Sequence, residues 1–113
     1  MISKEERPWG WFETLEESPS YKLKKIYVKP EQQFSLQYHN NRDEHWIIVD
    51  GSGFITLDEK VFPVSSNESF FIPKKTIHRL KSDLQGILFY EVQTGNCDEN
   101  DIKRIEDDYG RVQ

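Results

Sequence analysis

The chain has 113 residues, with 15 Lys and Arg against 20 Asp and Glu and a formal net charge of −5. That length suits one domain, residues 1–113, and is too short for two of ordinary size. The acidic balance, with an isoelectric point near 5.2, excludes a nucleic-acid backbone or an anionic membrane surface as a general partner. Mean hydropathy is only −0.78, yet the aromatic share of 13% is that of a folded chain and not of a disordered tail.

The first seven residues include four charged ones, Lys4 to Arg7, and carry no apolar stretch like a secretory leader. No window reaches the roughly 20 apolar residues of a membrane span, so the expected compartment is the cytoplasm. Short strands are predicted at 11–16, 21–28, 33–38 and 45–49. After a turn at Asp50-Gly51-Ser52-Gly53 they resume at 54–57, 60–64, 69–72, 78–81 and 87–92. Enrichment in Val, Ile, Tyr and Phe, with turn residues between short runs, argues an all-β sandwich or barrel. Only the tail, around 100–108, is expected to form a short helix. Cys97 is the single cysteine, so it has no internal disulfide or Cys-based zinc site and is expected to be an inert thiol.

Alternation along Phe34-Ser35-Leu36-Gln37-Tyr38-His39 separates Phe34, Leu36 and Tyr38 from Ser35, Gln37 and His39. The segment 45–49 is apolar at both parities, which predicts a strand buried on both sides. Gln37 and His39 project from one face about 7 Å apart. Glu44 opens the next strand after a polar turn and can fold back beside them, and His78, after Pro73, can supply a fourth ligand. One amide oxygen, two imidazoles and a carboxylate suit a divalent metal such as zinc, manganese, cobalt or iron, with positions left open for substrate or water. His45 has the wrong parity relative to Glu44, so the spacing makes it a packing residue.

The pattern Gln37-x-His39-x4-Glu44-x6-Gly51, followed by Pro73-x4-His78, resembles the paired motifs of the cupins. More narrowly, the chain resembles the cupin domain of type II phosphomannose isomerases, often fused behind a mannose-1-phosphate guanylyltransferase. The shared runs include Arg7-Pro8-Trp9-Gly10, 21–26, 34–39, Arg42-Asp43-Glu44-His45-Trp46, Ile72-Pro73 and His78-Arg79-Leu80. They continue through Glu91-Val92-Gln93-Thr94-Gly95 and Asp101-Ile102 with Arg104 to Asp108-Tyr109-Gly110-Arg111, covering about 6–111. The resemblance implies a double-stranded β-helix (jelly-roll) barrel and one divalent metal, zinc first, on Gln37, His39, Glu44 and His78. Against the family pattern, Asn41 stands where His is usual, Glu31 and Lys75 where Gly is usual, and Ser82 where Asn is frequent. No Gly-rich phosphate loop occurs, so guanylyl transfer by this chain is set aside.

The function implied is interconversion of mannose 6-phosphate and fructose 6-phosphate, which moves a proton between C2 and C1 through an enediol. That chemistry asks for a metal to polarise the carbonyl, a base to shuttle the proton and a cation for the phosphate. Arg42, between His39 and Glu44, must end near the metal and is the first catalytic candidate. The base stays open among Glu44, His45 and a water on the metal. Lys24 and Arg79 are candidates for binding substrate, as are Arg104, Tyr109 and Arg111 in a tail that the resemblance places over the barrel mouth. Two other readings stay open: a non-catalytic sugar-phosphate or nucleotide-sugar binding module assisting a separate guanylyltransferase, and a cupin epimerase or oxygenase. The expected partners are a small hexose phosphate and, through the face bearing Phe34, Leu36 and Tyr38, a second copy in a homodimer.

Overall fold

The computed structural model describes residues 3–111, and none of these is helical. It follows that no described helix is long and apolar enough to cross a membrane. The strands are β1 (Ser3–Arg7), β2 (Gly10–Ser18), β3 (Tyr21–Val28), β4 (Leu36–Tyr38) and β5 (Arg42–Leu57). They continue as β6 (Lys60–Ser65), β7 (Ser69–Ile72), β8 (His78–Gly95) and β9 (Lys103–Glu106). One path of pairing runs β1-β2-β3-β8-β4-β9, while β5 pairs with β6, β7 and β8. All pairings are antiparallel, and the sheet curls around a core of Trp9, Phe12, Ile26, Phe34, Trp46, Ile48, Ile55, Leu80, Ile87 and Phe89.

The curl rests on β5 and β8, two long strands that pair from Arg42↔Gly95 to Leu57↔His78. The expected turn at 50–53 is therefore absent: Asp50 to Gly53 lie inside β5, where register shifts between Ile48 and Asp50 and between Gly51 and Gly53 bend the strand. Gly51 has φ 96°, and a Cβ there would lie 2.2 Å from the Gly86 carbonyl oxygen, so the backbones approach too closely for a side chain. The expected strands 78–81 and 87–92 are likewise one element, β8.

Alternation sorts the faces. Arg42, Glu44, Trp46 and Ile48 of β5 point inward, as do Ile87, Phe89, Glu91 and Gln93 of β8 and Lys24, Ile26 and Val28 of β3. The inward rows are apolar in the middle and polar at one end, which puts the polar groups of three strands at one mouth of the curl. The expectation that 45–49 is buried on both sides is corrected: Ile47 and Val49 stand 53% and 45% exposed beside the exposed Phe71 of β7. Only one face of this antiparallel strand meets the core. The Phe34, Leu36 and Tyr38 face is corrected too. Residues 32–35 lie outside β4, the register shifts between Leu36 and Gln37, and Phe34 packs edge-on against Trp9 and Trp46 inside the core.

The expected C-terminal helix is strand β9 instead, with Gln37↔Arg104 and Tyr38↔Lys103 as partners. The physical reason is tertiary. The short strand β4 has an open edge whose amides and carbonyls need partners, and the tail satisfies them where an exposed, acid-rich helix would leave them bare.

Candidate metal centre

Three elements bring the ligand-type side chains together. His39 leaves the end of β4, Glu44 points inward from β5, and His78 opens β8, where it is the cross-strand partner of Gln37. One ligand atom from each of His39, Glu44 and His78 lies within 4.8 Å of the others, and all three side chains are buried. Both rings are oriented by backbone carbonyls: His39 Nδ1 donates to Asp101 O at 2.7 Å and His78 Nδ1 to Thr76 O at 2.9 Å. A carbonyl only accepts, so each Nδ1 carries the proton and each Nε2 turns its lone pair to the cluster. His78 Nε2 is buried without any hydrogen-bond partner.

This donor set fits a divalent cation. Two Nε2 lone pairs and a carboxylate converge in a buried site, and the orphaned His78 nitrogen lacks the partner that a buried polar atom needs. Gln37 lines the adjoining cavity, its Oε1 accepting from Ser35 Oγ at 2.7 Å. Asn41, where the resemblance implies His, is exposed in the preceding turn with its backbone N–H donating to Asp101 Oδ2 at 2.8 Å.

Arg42 is part of the cluster. Its Nε donates to Glu44 Oε2 at 3.0 Å and its Nη2 to His39 Nε2 at 3.1 Å, so the guanidinium engages two atoms that a metal would use. Glu44 Oε1 accepts from Trp46 Nε1 at 3.0 Å, and the same N–H reaches Glu91 Oε1 at 3.0 Å. Gln93 in turn donates to Glu91 Oε2 at 2.8 Å. Burial acts to raise the Glu44 carboxyl, but the His39 and His78 rings, where they take a second proton in the metal-free chain, and the Arg42 guanidinium outweigh it and hold the group well below the usual range. Glu91 is pushed up to about 8, first by burial and then by repulsion from Glu44, against the pull of Lys24 and Arg42. Burial lowers His78, which stays a neutral ligand-type imidazole despite the Glu44 charge.

A cavity of about 240 Å³ opens beside the cluster, with Trp9, Phe12, Phe34 and Phe89 on its walls and five cations, Arg7, Lys24, Arg42, Arg104 and Arg111. Most of these cations hold carboxylates. Arg7 pairs with Glu5 at 3.2 Å, Lys24 with Glu99 at 2.7 Å and Arg111 with Asp107 at 2.8 Å, alongside the Arg42–Glu44 pair.

Of the residues that the sequence nominates, His39, Glu44, His78 and Arg42 meet in the cluster, and Gln37, Lys24, Arg104 and Arg111 line the cavity with Arg42. Lys24 is buried, not draped over the surface, with its ammonium 4.3 Å over the Phe12 ring. Three nominees lie elsewhere. His45 is exposed on the outer face against Phe71, because alternation turns it away from Glu44 and Trp46. Arg79 binds Phe34 O at 2.9 Å and pairs with Glu106, tying β8 to the chain entering β4 and to β9. Tyr109 hydrogen-bonds Gln32 and packs on the core. Sequence reasoning missed Arg7, Glu91, Gln93 and Glu99 as cavity residues. The signal for Glu91 and Gln93 was present, since they continue the inward row of Ile87 and Phe89 at a spacing of two.

Comparison with known proteins agrees with the geometry. Residues 1–107 match the family described as mannose-6-phosphate isomerase C-terminal. The chain belongs to that family. It is 43% identical over 108 residues to the alginate biosynthesis protein AlgA of Pseudomonas putida, an alignment covering 94% of this chain and 22% of that protein. It is 42% identical over 109 residues to a mannose-1-phosphate guanylyltransferase of Salmonella muenchen, covering 95% of this chain and 23% of the relative. The chain thus spans about a fifth of the length of these relatives. Among solved structures, KdgF from Halomonas sp. superposes with a TM-score of 0.79 at 14% identity, covering 87% of this chain and 92% of that one. The fold is that of the cupins, all-β and curled as the resemblance implied.

Proposed function

We propose that this chain is a metal-dependent aldose–ketose isomerase interconverting mannose 6-phosphate and fructose 6-phosphate. The observation that carries the reading is the buried His39–Glu44–His78 cluster beside a cavity rich in cations, in a chain of the mannose-6-phosphate isomerase C-terminal family. His39, Glu44 and His78 would hold the metal, with Gln37 as a fourth donor. When bound, a divalent ion supplies carbonyl polarisation and stabilisation of enediolate charge, with zinc suited to the N/O donors.

The rest falls to the chain's own groups. Arg42 stands between the cluster and the cavity and orients the oxygens of the sugar at its reacting end. Glu91 lines the cavity without belonging to the ligand cluster, which puts its carboxyl in position to carry the proton between the two carbons. Trp46 holds Glu91 and Glu44 in a fixed relation through one shared N–H. The aromatic walls exclude water from the enediol, and the remaining cations hold the phosphate. His45, on the other face of β5, takes no part.

The test is direct. The purified chain loaded with zinc or manganese should form fructose 6-phosphate from mannose 6-phosphate in a coupled assay and lose that activity to chelator. Metal-loaded protein that turns over no hexose phosphate overturns the reading. The homodimer is carried forward on a different surface, the exposed row of Ile47, Val49 and Phe71, since Phe34 is interior. A monomeric mass in light scattering removes it.

A further inference from the structure

Among the five cations on the cavity wall, Arg7, Lys24, Arg42 and Arg111 are each held by a carboxylate. Arg104 is different. It stands in no ion pair with any described residue, and its Nε is buried without a hydrogen-bond partner. A guanidinium does not discharge at working pH, so a buried N–H that lacks an acceptor is an unmet demand. Burial and the nearby charges of Arg111 and Arg7 act against the protonated form and outweigh the pull of Asp107. An anion entering the cavity answers that demand, and a phosphate oxygen is the best-matched acceptor for a guanidinium.

The register places this group with respect to the cluster. Arg104 of β9 is the cross-strand partner of Gln37 of β4, and Gln37 is the partner of His78 of β8. Cross-strand partners share a face, so the three side chains form one row across neighbouring strands. Strands lie about 4.8 Å apart, which puts the Arg104 backbone two spacings, roughly 10 Å, from that of His78. Gln37 and Arg104 of that row both line the cavity, so an anion held by Arg104 lies about one small molecule's length from the cluster.

We propose that Arg104 anchors the terminal phosphate of the sugar phosphate whose carbonyl end lies at the His39–Glu44–His78 cluster, so that the His78–Gln37–Arg104 row measures the distance between them. This deepens the isomerase reading and rests on it for the identity of the substrate. The row selects sugars that carry phosphate at the end remote from the carbonyl. A sugar with no phosphate, or with phosphate on the carbonyl end, meets the cluster without reaching Arg104.

The experiment compares Arg104→Gln and Arg104→Lys with the wild type, all as full chains. In the isomerase assay R104Q should raise KM for mannose 6-phosphate roughly ten- to a hundredfold, the range spanned by one charge-assisted hydrogen bond, with kcat changed only a few-fold. R104K should recover part of that loss, since it keeps the charge without the fork, and bound metal content should be the same in all three. A KM for R104Q within twofold of wild type overturns the anchor. A second arm separates this inference from the isomerase reading: calorimetric titration with inorganic phosphate, which needs no turnover. Phosphate binding by wild type that is lost in R104Q supports the anchor even if no isomerisation is found. Equal binding by both, or none by wild type, overturns it. Should R104Q fail to fold, the wild-type and R104K titrations carry the comparison, and identical phosphate affinities then overturn the anchor.

Discussion

The two ends of the site, the buried cluster and the tail on the cavity wall, are built in opposite ways. At one end, His39, Glu44, His78, Arg42 and Trp46 are all buried, and both imidazoles are fixed by backbone carbonyls. Glu44, Arg42 and Trp46 are inward residues of β5, the long strand that also pairs with β8. At the other end, Arg104 and Arg111 belong to a tail attached through the short strand β9 and through side-chain contacts such as Gln33–Asp108 and Tyr109–Gln32. Reacting groups need sub-ångström placement and sit where packing over-determines them. Groups that only hold a remote charge tolerate looser mounting. On the proposed function the buried end carries the chemistry and the tail the grip, so each should be open to disturbance without the other.

The largest effect belongs to the rigid end. Glu44→Gln removes the charge that three neighbours share and leaves the buried Arg42 guanidinium without its carboxylate. Breaking a buried pair from one side costs about 3–5 kcal/mol, so urea unfolding should show a loss of that order. Added zinc should no longer raise the midpoint, whereas wild type at a thousandfold excess over Kd should gain about 4 kcal/mol. An E44Q protein that melts like wild type and is still stabilised by zinc would break the contrast between the two ends.

Arg42→Met sharpens the same contrast with a smaller effect and the opposite sign for metal. The guanidinium occupies Glu44 Oε2 and His39 Nε2, atoms that a metal ion would also take. Its removal should destabilise the metal-free chain by about 2–3 kcal/mol, because a buried carboxylate loses its cation. It should also tighten metal binding, since no side chain contends for those atoms. Competition with a fluorescent chelator reads the affinity, and Trp46, bonded to Glu44, is a built-in reporter. Weaker metal binding in R42M would show that Arg42 supports the site instead of contending for it.

Sequence reasoning reached the candidate ligands better than the walls. Gln37, His39, Glu44 and His78 were legible because strand parity and the two motifs converge on them, and β3 and β7 were legible to the residue because each is a short run rich in β-branched or aromatic side chains. What failed shares one cause. The turn at 50–53, the helix at 100–108 and the face of Phe34 were all judged from local composition, and each was decided by a distant partner. β8 holds Asp50 to Gly53 in a strand, the open edge of β4 recruits the tail, and Trp9 and Trp46 draw Phe34 inward. Arg7 and Glu99 had no signal in their own segments, since their place on the cavity wall comes only from closure of the curl.

The smallest effect tests whether strain next to the ligands is part of the site. Lys75 has φ 70°, at a position where the resemblance to the cupin motifs implies Gly, and Glu31 has φ 61° at another such position. A left-handed residue other than Gly carries about 1–2 kcal/mol of steric strain, and a glycine there adds back about 0.5–1 kcal/mol in unfolded-state freedom. Lys75→Gly should therefore raise stability by about 0.5–1 kcal/mol in urea unfolding. The Lys75 N–H donates to His39 O at 2.6 Å, so this turn is tied to the backbone of a candidate ligand and not to its ring. The ring is held separately through Nδ1 and Asp101. Metal affinity should consequently match wild type while stability rises. A K75G chain whose metal affinity shifts tenfold would mean that the strained turn sets the placement of His39, and the rigid end would then extend one layer further out than its buried side chains.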